Sequence, residues 1–275
     1  MAPQRQRNDR GDRARPDQRR AAESPEHAAS SAHRRRLEDV KAEWLWGWHT
    51  VLAALDNPAR EPAKRILATA DRAHMLRDHP RAAKSLEIVE AAAIGQIVPQ
   101  GAPHQGIALR IPLIEPTALD DLAADPRGFL VMLDQVTDPQ NVGAIFRSAA
   151  AFGARGIILQ DRHAPALAGA LAKAAAGGID KIPHAREVNL SRALEQLEQA
   201  GWRAVGLDGD AAESLENSLS GEPTVLVLGA EGEGLRRLVR EHCDALASIP
   251  MPGGFESLNV SAAAAVAMYE VSRKR

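Results

Sequence analysis

The sequence predicts an α/β protein with a parallel sheet in its C-terminal half and a smaller α/β unit ahead of it. Three observations carry this. Residues 128–134 (GFLVMLD), 156–160 (GIILQ) and 224–228 (TVLVL) are continuous apolar runs, the signature of strands covered on both faces. Segments of helical length separate them. Hydrophobic residues make up 45% and charged residues 25% of the 275 positions, enough for a sizeable core.

The elements follow in order. Apolar pattern begins at Trp44, and residues 44–55 read as a short lead-in and a helix that Asn57-Pro58 stops. Residues 64–69 (KRILAT) read as a strand, 71–78 as a helix capped by Asp71, and 104–111 (HQGIALRI) as another strand. Residues 112–127, with prolines at 112, 116 and 126, read as a linker with a short helix. In the second unit, 143–152 is helical, 165–176 is an Ala-rich helix, and 189–200 is a helix capped by Asn189. Residues 203–207 form a strand, 235–241 a helix, 245–249 a strand and 258–272 a closing helix. The expected organisation is a tail over 1–43, a domain over 44–111, a linker over 112–127 and a second domain over 128–275. No internal repeat is visible.

Composition excludes several classes. A single cysteine, Cys243, rules out a disulfide framework or a multi-cysteine zinc site. Aromatics at 3% argue against rows of stacked bases. No run of about 18 apolar residues exists, so no membrane span is expected. The charged N-terminus lacks the apolar stretch of a secretory signal, and a soluble, cytoplasmic setting is expected. The nine histidines show no metal-ligand spacing, so no metal is expected. The net charge of −2 hides an asymmetry: residues 1–36 carry ten arginines against five acids, a net +5, which leaves −7 for the rest. With almost no apolar residues, this tail is expected to be disordered, either as a solubilising extension or as a basic arm for RNA phosphates. Cys243 beside His242 reads as a structural thiol, since adjacent side chains rarely meet. Trp44, Trp46 and Trp48 read as packing, with stacking on RNA as the alternative.

Three loops at expected strand ends are rich in special residues, and strand C-termini are where parallel sheets build sites. The first, residues 138–148 (DPQNVGAIFRS), holds Asn141, a candidate cap for a helix starting at Val142 or Gly143, and Arg147 one and a half turns on. The second, residues 229–234 (GAEGEG), lacks the G-x-G-x-x-G spacing, and no G-x-x-x-x-G-K-[ST] occurs in the chain. Its two carboxylates would repel a pyrophosphate and suit a cationic group. The third, residues 249–261 (IPMPGGFESLNVS), places Ser257, Asn259 and Ser261 at the start of an apolar helix, with Ser257 a candidate cap.

Together these loops resemble the SpoU branch of the SPOUT superfamily, the S-adenosylmethionine-dependent RNA ribose 2′-O-methyltransferases. The N-x-G-x-x-x-R, G-x-E-G-x-G and I-P-M…S-L-N-V-S motifs stand intact here. The run from Arg240 to Met251 looks especially like the bacterial enzymes that methylate a guanosine in 23S rRNA. The pieces W-G-x-H-x-V-x-A-A-L and H-Q-G-I-A resemble the family's ribosomal-protein-like substrate-binding domain.

The resemblance implies a Rossmann-like parallel sheet closed by a deep trefoil knot, which chain physics alone would not suggest. It implies S-adenosylmethionine as cofactor, held at Gly229, Ile249, Met251 and Leu258. Arg147 takes the central role at the ribose hydroxyl, oriented by Asn141 and Glu231, with Ser257 and Asn259 positioning the ribose or the other side chains. A guanidinium is almost always protonated, so charge stabilisation suits Arg147 better than proton abstraction. A homodimer is implied, and the Ala-rich final helix suits either close helix approach between subunits or ordinary packing. The expected partner is RNA, 23S rRNA ahead of tRNA, with no role for DNA or a membrane. An inactive ribosome-associated RNA-binding protein is the alternative from another class, but it would be expected to have lost some of these five side chains. A nicotinamide-dependent oxidoreductase would need a loop of glycines after its first strand and an acid at the end of its second, and residues 134–143 do not supply that loop.

Overall fold

The computed structural model describes residues 44–274; the tail expected over 1–43 lies outside the described residues. The N-terminal part runs β1 (Trp44–Trp46), α1 (Trp48–Asp56), β2 (Arg65–Ala68), α2 (Ala70–Met75), β3 (Leu86–Ile88), α3 (Ala91–Gly95) and β4 (Ile107–Arg110). Its four strands form a mixed sheet of order β1-β4-β2-β3, in which β4 is antiparallel to β1 and β2. After α4 (Leu119–Ala123) the larger part follows as β5 (Phe129–Leu133), α5 (Pro139–Phe152), β6 (Gly156–Gln160), α6 (Gly169–Ala175), a 3₁₀ turn (Gly178–Asp180) and β7 (His184–Glu187). It continues with α7 (Leu190–Gln199), β8 (Arg203–Leu207), α8 (Leu215–Ser218), β9 (Thr224–Leu228), α9 (Arg237–Glu241), β10 (Ala245–Ala247) and α10 (Val260–Arg273).

The large sheet is parallel throughout, in the order β10-β8-β9-β5-β6-β7. From β5 the chain first moves outward through β6 and β7, then crosses to the other side at β8, turns inward to β9 beside β5, and ends at β10 on the far edge. The switch of direction therefore falls between β5 and β9, where the connecting loops diverge and leave a crevice. Alternate residues of the central strands feed two cores: Phe129, Val131, Leu133, Leu226 and Leu228 pack on one face, and Leu130, Met132, Val225 and Val227 on the other. This is why these strands are apolar without alternation.

The structure corrects several local expectations. β3 (LEI) and β7 (HARE) were not anticipated; both are sheet edges, where polar residues face water and break the apolar run. Thr69, not Asp71, stands at the N-cap of α2, and its hydroxyl donates to Asp71. Asn189 caps α7 as expected, accepting from Arg192 N at 3.2 Å. Residues 112–127 hold the expected short helix, and the segment is packed: Leu119, Leu122 and Ala123 are buried, Trp202 Nε1 donates to Ala123 O at 3.0 Å, and Thr117 N donates to His184 O at 2.7 Å. Trp44 and Trp46 are buried, as the packing reading holds, whereas Trp48 is half-buried.

One core runs beneath both sheets. Leu45, Val51, Leu55, Ile66 and Leu109 of the N-terminal part join the same apolar cluster as Phe129, Phe146 and Leu171. Across this junction Thr50 Oγ1 donates to Ala172 O at 3.2 Å. Arg60 and Asp180 form an ion pair with side-chain exposures of 1% and 3%. Asn57 Nδ2 adds a hydrogen bond to Asp180 at 3.1 Å, and Arg60 Nη1 donates to Pro112 O at 2.8 Å. Gly177, with φ 94°, lets α1 approach: a Cβ there would lie 2.7 Å from Ala53 Cβ.

His184 is buried in β7 with its ring against the edge of Phe146, centroids 6.4 Å apart. Burial, helped by Arg186 and Arg60, pushes its imidazole down to about 4. An unfolded histidine titrates near 6.5, so the stability from keeping it neutral is full above that pH and is lost as pH falls through about 4. The loss is on the order of 3 kcal/mol. In paired thermal denaturation, wild type is expected to lose stability relative to His184→Phe between pH 7 and pH 4. A constant difference across that range would refute the assignment.

Candidate active site

Three loops meet at the switch between β5 and β9. The first begins after β5. Asp138 caps α5, accepting from Asn141 N at 3.0 Å, and Pro139 occupies the first turn. Asn141 is therefore the third residue of the helix and not its cap. Gly143 lets α5 lie directly on α6: a Cβ there would sit 2.5 Å from Leu171 O and 2.6 Å from Ala174 Cβ.

The second loop follows β9 and folds back on itself, with Gly234 N donating to Ala230 O at 3.0 Å. Gly229 faces that closure so tightly that a Cβ would come within 2.1 Å of Gly234 C. This turn projects Glu231. The third loop follows β10 and leads into α10, whose cap is Asn259 and not Ser257. Asn259 Oδ1 accepts from Ser261 N at 3.0 Å, Ser261 Oγ at 2.6 Å and Ala262 N at 3.4 Å.

The amide nitrogen of Asn259 is thereby free to point into the crevice. It donates to Glu231 Oε1 at 2.6 Å and to Asn141 Oδ1 at 3.0 Å. Glu231 Oε1 also accepts from Val260 N at 3.1 Å and Asn141 Nδ2 at 3.3 Å. One residue from each loop thus closes a hydrogen-bonded triangle. The carboxylate sits against the positive N-terminal end of α10, where negative charge is favoured.

Beside this triangle lies a cleft of about 720 Å³. Gly229, Ile249, Met251 and Leu258 line it, as do Glu231, Ser257 and Asn259. Its wall also carries Asp208, Asp210, Glu233 and Glu256 against, among the described residues, a single cation, Arg240, which is paired to Asp208 at 2.6 Å. Such an acid excess favours a cationic ligand.

Arg147 stands apart. It is exposed, and its side chain makes no hydrogen bond or ion pair with any described residue. Because α5 starts at Pro139, Arg147 lies in the third turn, about 120° around the axis from Asn141 and about 9 Å along it. Asn141 and Glu231 bind Asn259 and do not orient the guanidinium. Ser257 is exposed at the cleft rim and makes none of the triangle's hydrogen bonds.

Sequence reasoning missed Asp134. It is fully buried at the end of β5, and its carboxylate accepts from Arg236 N at 2.9 Å and Arg236 Nε at 2.6 Å. Its own N–H donates to Leu228 O at 2.8 Å. Asp134 thereby ties the start of the first loop to both ends of the second. The signal was an acid closing an apolar strand. Asp208 at the end of β8 carried the same signal.

Cys243 is not part of the site. Its thiol donates to Val239 O at 3.3 Å, and burial pushes it up to about 12. His242 instead contacts Leu238 O and Glu195 Oε1. Among the described residues no group of three or more His, Cys, Asp or Glu clusters to hold a metal ion, and no helix is long and apolar enough to cross a membrane.

Comparison with known proteins agrees with this geometry. Residues 128–269 match the SpoU rRNA Methylase family, and residues 44–117 match the RNA 2′-O ribose methyltransferase substrate binding family. A protein of Mycolicibacterium vanbaalenii, named an uncharacterized tRNA/rRNA methyltransferase, is 38% identical over 257 residues, covering 90% of this chain and 82% of that protein. YacO of Bacillus subtilis, named a TrmH family tRNA/rRNA methyltransferase, is 45% identical over 177 residues, covering 62% of this chain and 71% of its own length. Of further mycobacterial relatives the chain spans 56–57% of the length. The crystal structure of an AdoMet-bound rRNA methyltransferase from Sinorhizobium meliloti superposes with a TM-score of 0.72 at 25% identity, covering 86% of this chain and 94% of that one. With family matches over both parts and the motif-bearing loops converging on one crevice, the chain belongs to the SpoU rRNA methylase family and is an RNA methyltransferase.

Proposed function

We propose that this enzyme transfers a methyl group from S-adenosylmethionine to the ribose 2′-hydroxyl of a guanosine in 23S rRNA. The observation that carries the reading is the Asn141–Glu231–Asn259 triangle at the rim of an acidic cleft. The cleft fits the cofactor in size, since small-molecule sites span roughly 300–1,000 Å³, and its carboxylates fit a ligand with a sulfonium and an ammonium. When bound, S-adenosylmethionine supplies an electrophilic methyl group. Gly229, Ile249, Met251 and Leu258 hold it, largely through main-chain groups around their lining positions. The triangle fixes the relative placement of the three loops. Ser257 at the rim orients the ribose. Arg147, exposed and with no side-chain partner among the described residues, meets the RNA: it stabilises the hydroxyl oxygen as negative charge develops there and grips a neighbouring phosphate.

The chain after β9 forms the family's deep trefoil knot in this reading. The supporting observation is that residues 249–259 return to line the same cleft as residues 229–235, after which α10 packs on α5 and β9. The enzyme works as a homodimer in the cytoplasm. Ala264 and Ala267 of α10 are consumed by packing within the chain, so the dimer reading rests on the exposed Val266, Tyr269 and Phe255.

The names of the relatives admit tRNA as well as rRNA. The N-terminal part favours rRNA, because its resemblance is to ribosomal-protein-like substrate-binding domains. Mapping 2′-O-methyl sites in 23S rRNA and tRNA from cells with and without the gene is expected to show loss of one guanosine mark in 23S rRNA. Loss of a tRNA mark with rRNA unchanged would overturn the substrate assignment.

A further inference from the structure

Lys173, near the end of α6, is a half-buried cation whose hydrogen bond goes to a neutral group. Its Nζ donates to Gln105 Oε1 at 2.7 Å, and burial lowers its pKa. The ammonium rests over Gly47, where φ is 87° and any Cβ would come within 2.2 Å of Nζ. Glycine at that position clears a seat for the charge. Gln105, which meets the ammonium, is itself held at φ 57°, followed by Gly106 at φ 77°. A non-glycine residue in that region is strained, and strain of this kind concentrates at functional sites.

The same glutamine gathers two more groups. Its side-chain oxygen accepts from Trp48 N at 3.0 Å, and its carbonyl accepts from Arg72 Nε at 3.1 Å. The Arg72 guanidinium lies 5.2 Å from the centre of the half-buried Trp48 indole. The nearby acid is Asp71, 3.7 Å from Arg72 Nε and engaged by the Thr69 hydroxyl. An ammonium, a guanidinium and an indole thus stand together at the seam between the two sheets. That is the chemistry of a polynucleotide: cations for phosphate and an aromatic plane for a base.

The seam also leads to Arg147. The Gly177–Gly178 turn separates the two places: a Cβ at Gly177 would lie 3.3 Å from His49 O, and one at Gly178 would lie 3.1 Å from Arg147 N. His49, exposed, follows Trp48 directly. We propose that Lys173, Arg72 and Trp48 form a subsite for a single-stranded stretch of the RNA substrate, flanking the nucleotide presented to Arg147. The proposal rests on the reading of RNA as the molecule methylated.

Filter binding of unmethylated 23S rRNA transcribed in vitro tests it with Lys173→Gln and Arg72→Gln. Each variant is expected to bind roughly fivefold more weakly at about 150 mM salt, with the slope of log K against log salt reduced by about 0.7–0.9. Cofactor affinity and Tm are expected to stay at wild-type values, and KM for RNA to rise while kcat at saturating RNA is unchanged. Two folded variants with wild-type affinity and salt slope would overturn the subsite while leaving the methyltransferase reading intact. If Lys173→Gln fails to fold, Arg72→Gln decides the question, since its side chain is partly exposed and a glutamine amide can still donate to the Gln105 carbonyl. Failure of the wild-type enzyme to bind or methylate this RNA would instead overturn the substrate reading, and the subsite with it.

Discussion

Alanine at Arg147 is expected to lower methyl transfer to RNA by about 10²–10³-fold, the scale seen when one group facing a developing oxyanion is removed. Folding and cofactor affinity are expected to be unchanged. The side chain is exposed and bonds to no described residue, so its removal leaves no buried group unsatisfied. Incorporation of labelled methyl groups measures the first effect, and titration calorimetry with S-adenosylmethionine measures the second. Near-normal methylation with intact cofactor binding would remove Arg147 from the mechanism.

Asp180→Ala is expected to destabilise the protein by about 3–5 kcal/mol, because it strands a buried guanidinium. Arg60 has a side-chain exposure of only 1%, and Asn57 loses its partner in the same substitution. Urea unfolding reads the change directly. The double replacement Arg60→Met with Asp180→Leu should recover much of the loss, since an apolar pair leaves no uncompensated charge. A loss below about 1 kcal/mol for Asp180→Ala would mean that water reaches the junction and the pair is not sealed.

The parts of the fold legible in the sequence are those whose burial is two-sided. GIILQ, RAVGL and TVLVL read as strands over their observed bounds, because a strand covered on both faces keeps polar residues to its ends and leaves an unbroken apolar centre. HARE and LEI did not, because an edge strand is half solvated. At the site, the residue types and their loops were legible, but their mutual geometry was not. Placing the start of α5 at Val142 or Gly143 overlooked Asp138-Pro139, a cap followed by the residue best suited to a first helical position. That reading puts Arg147 in the first turn and a half of the helix, whereas it lies in the third turn. Ser257 reads as a cap in the sequence where Asn259 serves in the structure, since either side chain can accept from the first turn. Arg60 and Asp180 lie 120 residues apart, and no local pattern announces such a pair.

The shared core has a consequence for how a target nucleotide is chosen. Domains joined by small polar contacts swing relative to one another, whereas a continuous apolar junction with a sealed ion pair suppresses that freedom. The N-terminal part is then a ruler rather than a tether. On the proposal that RNA is gripped there, it would arrive at an unvarying offset from the reacting centre, and selection would proceed by measured length along the folded RNA. A substrate lengthened by one nucleotide between grip and target would present the neighbouring ribose.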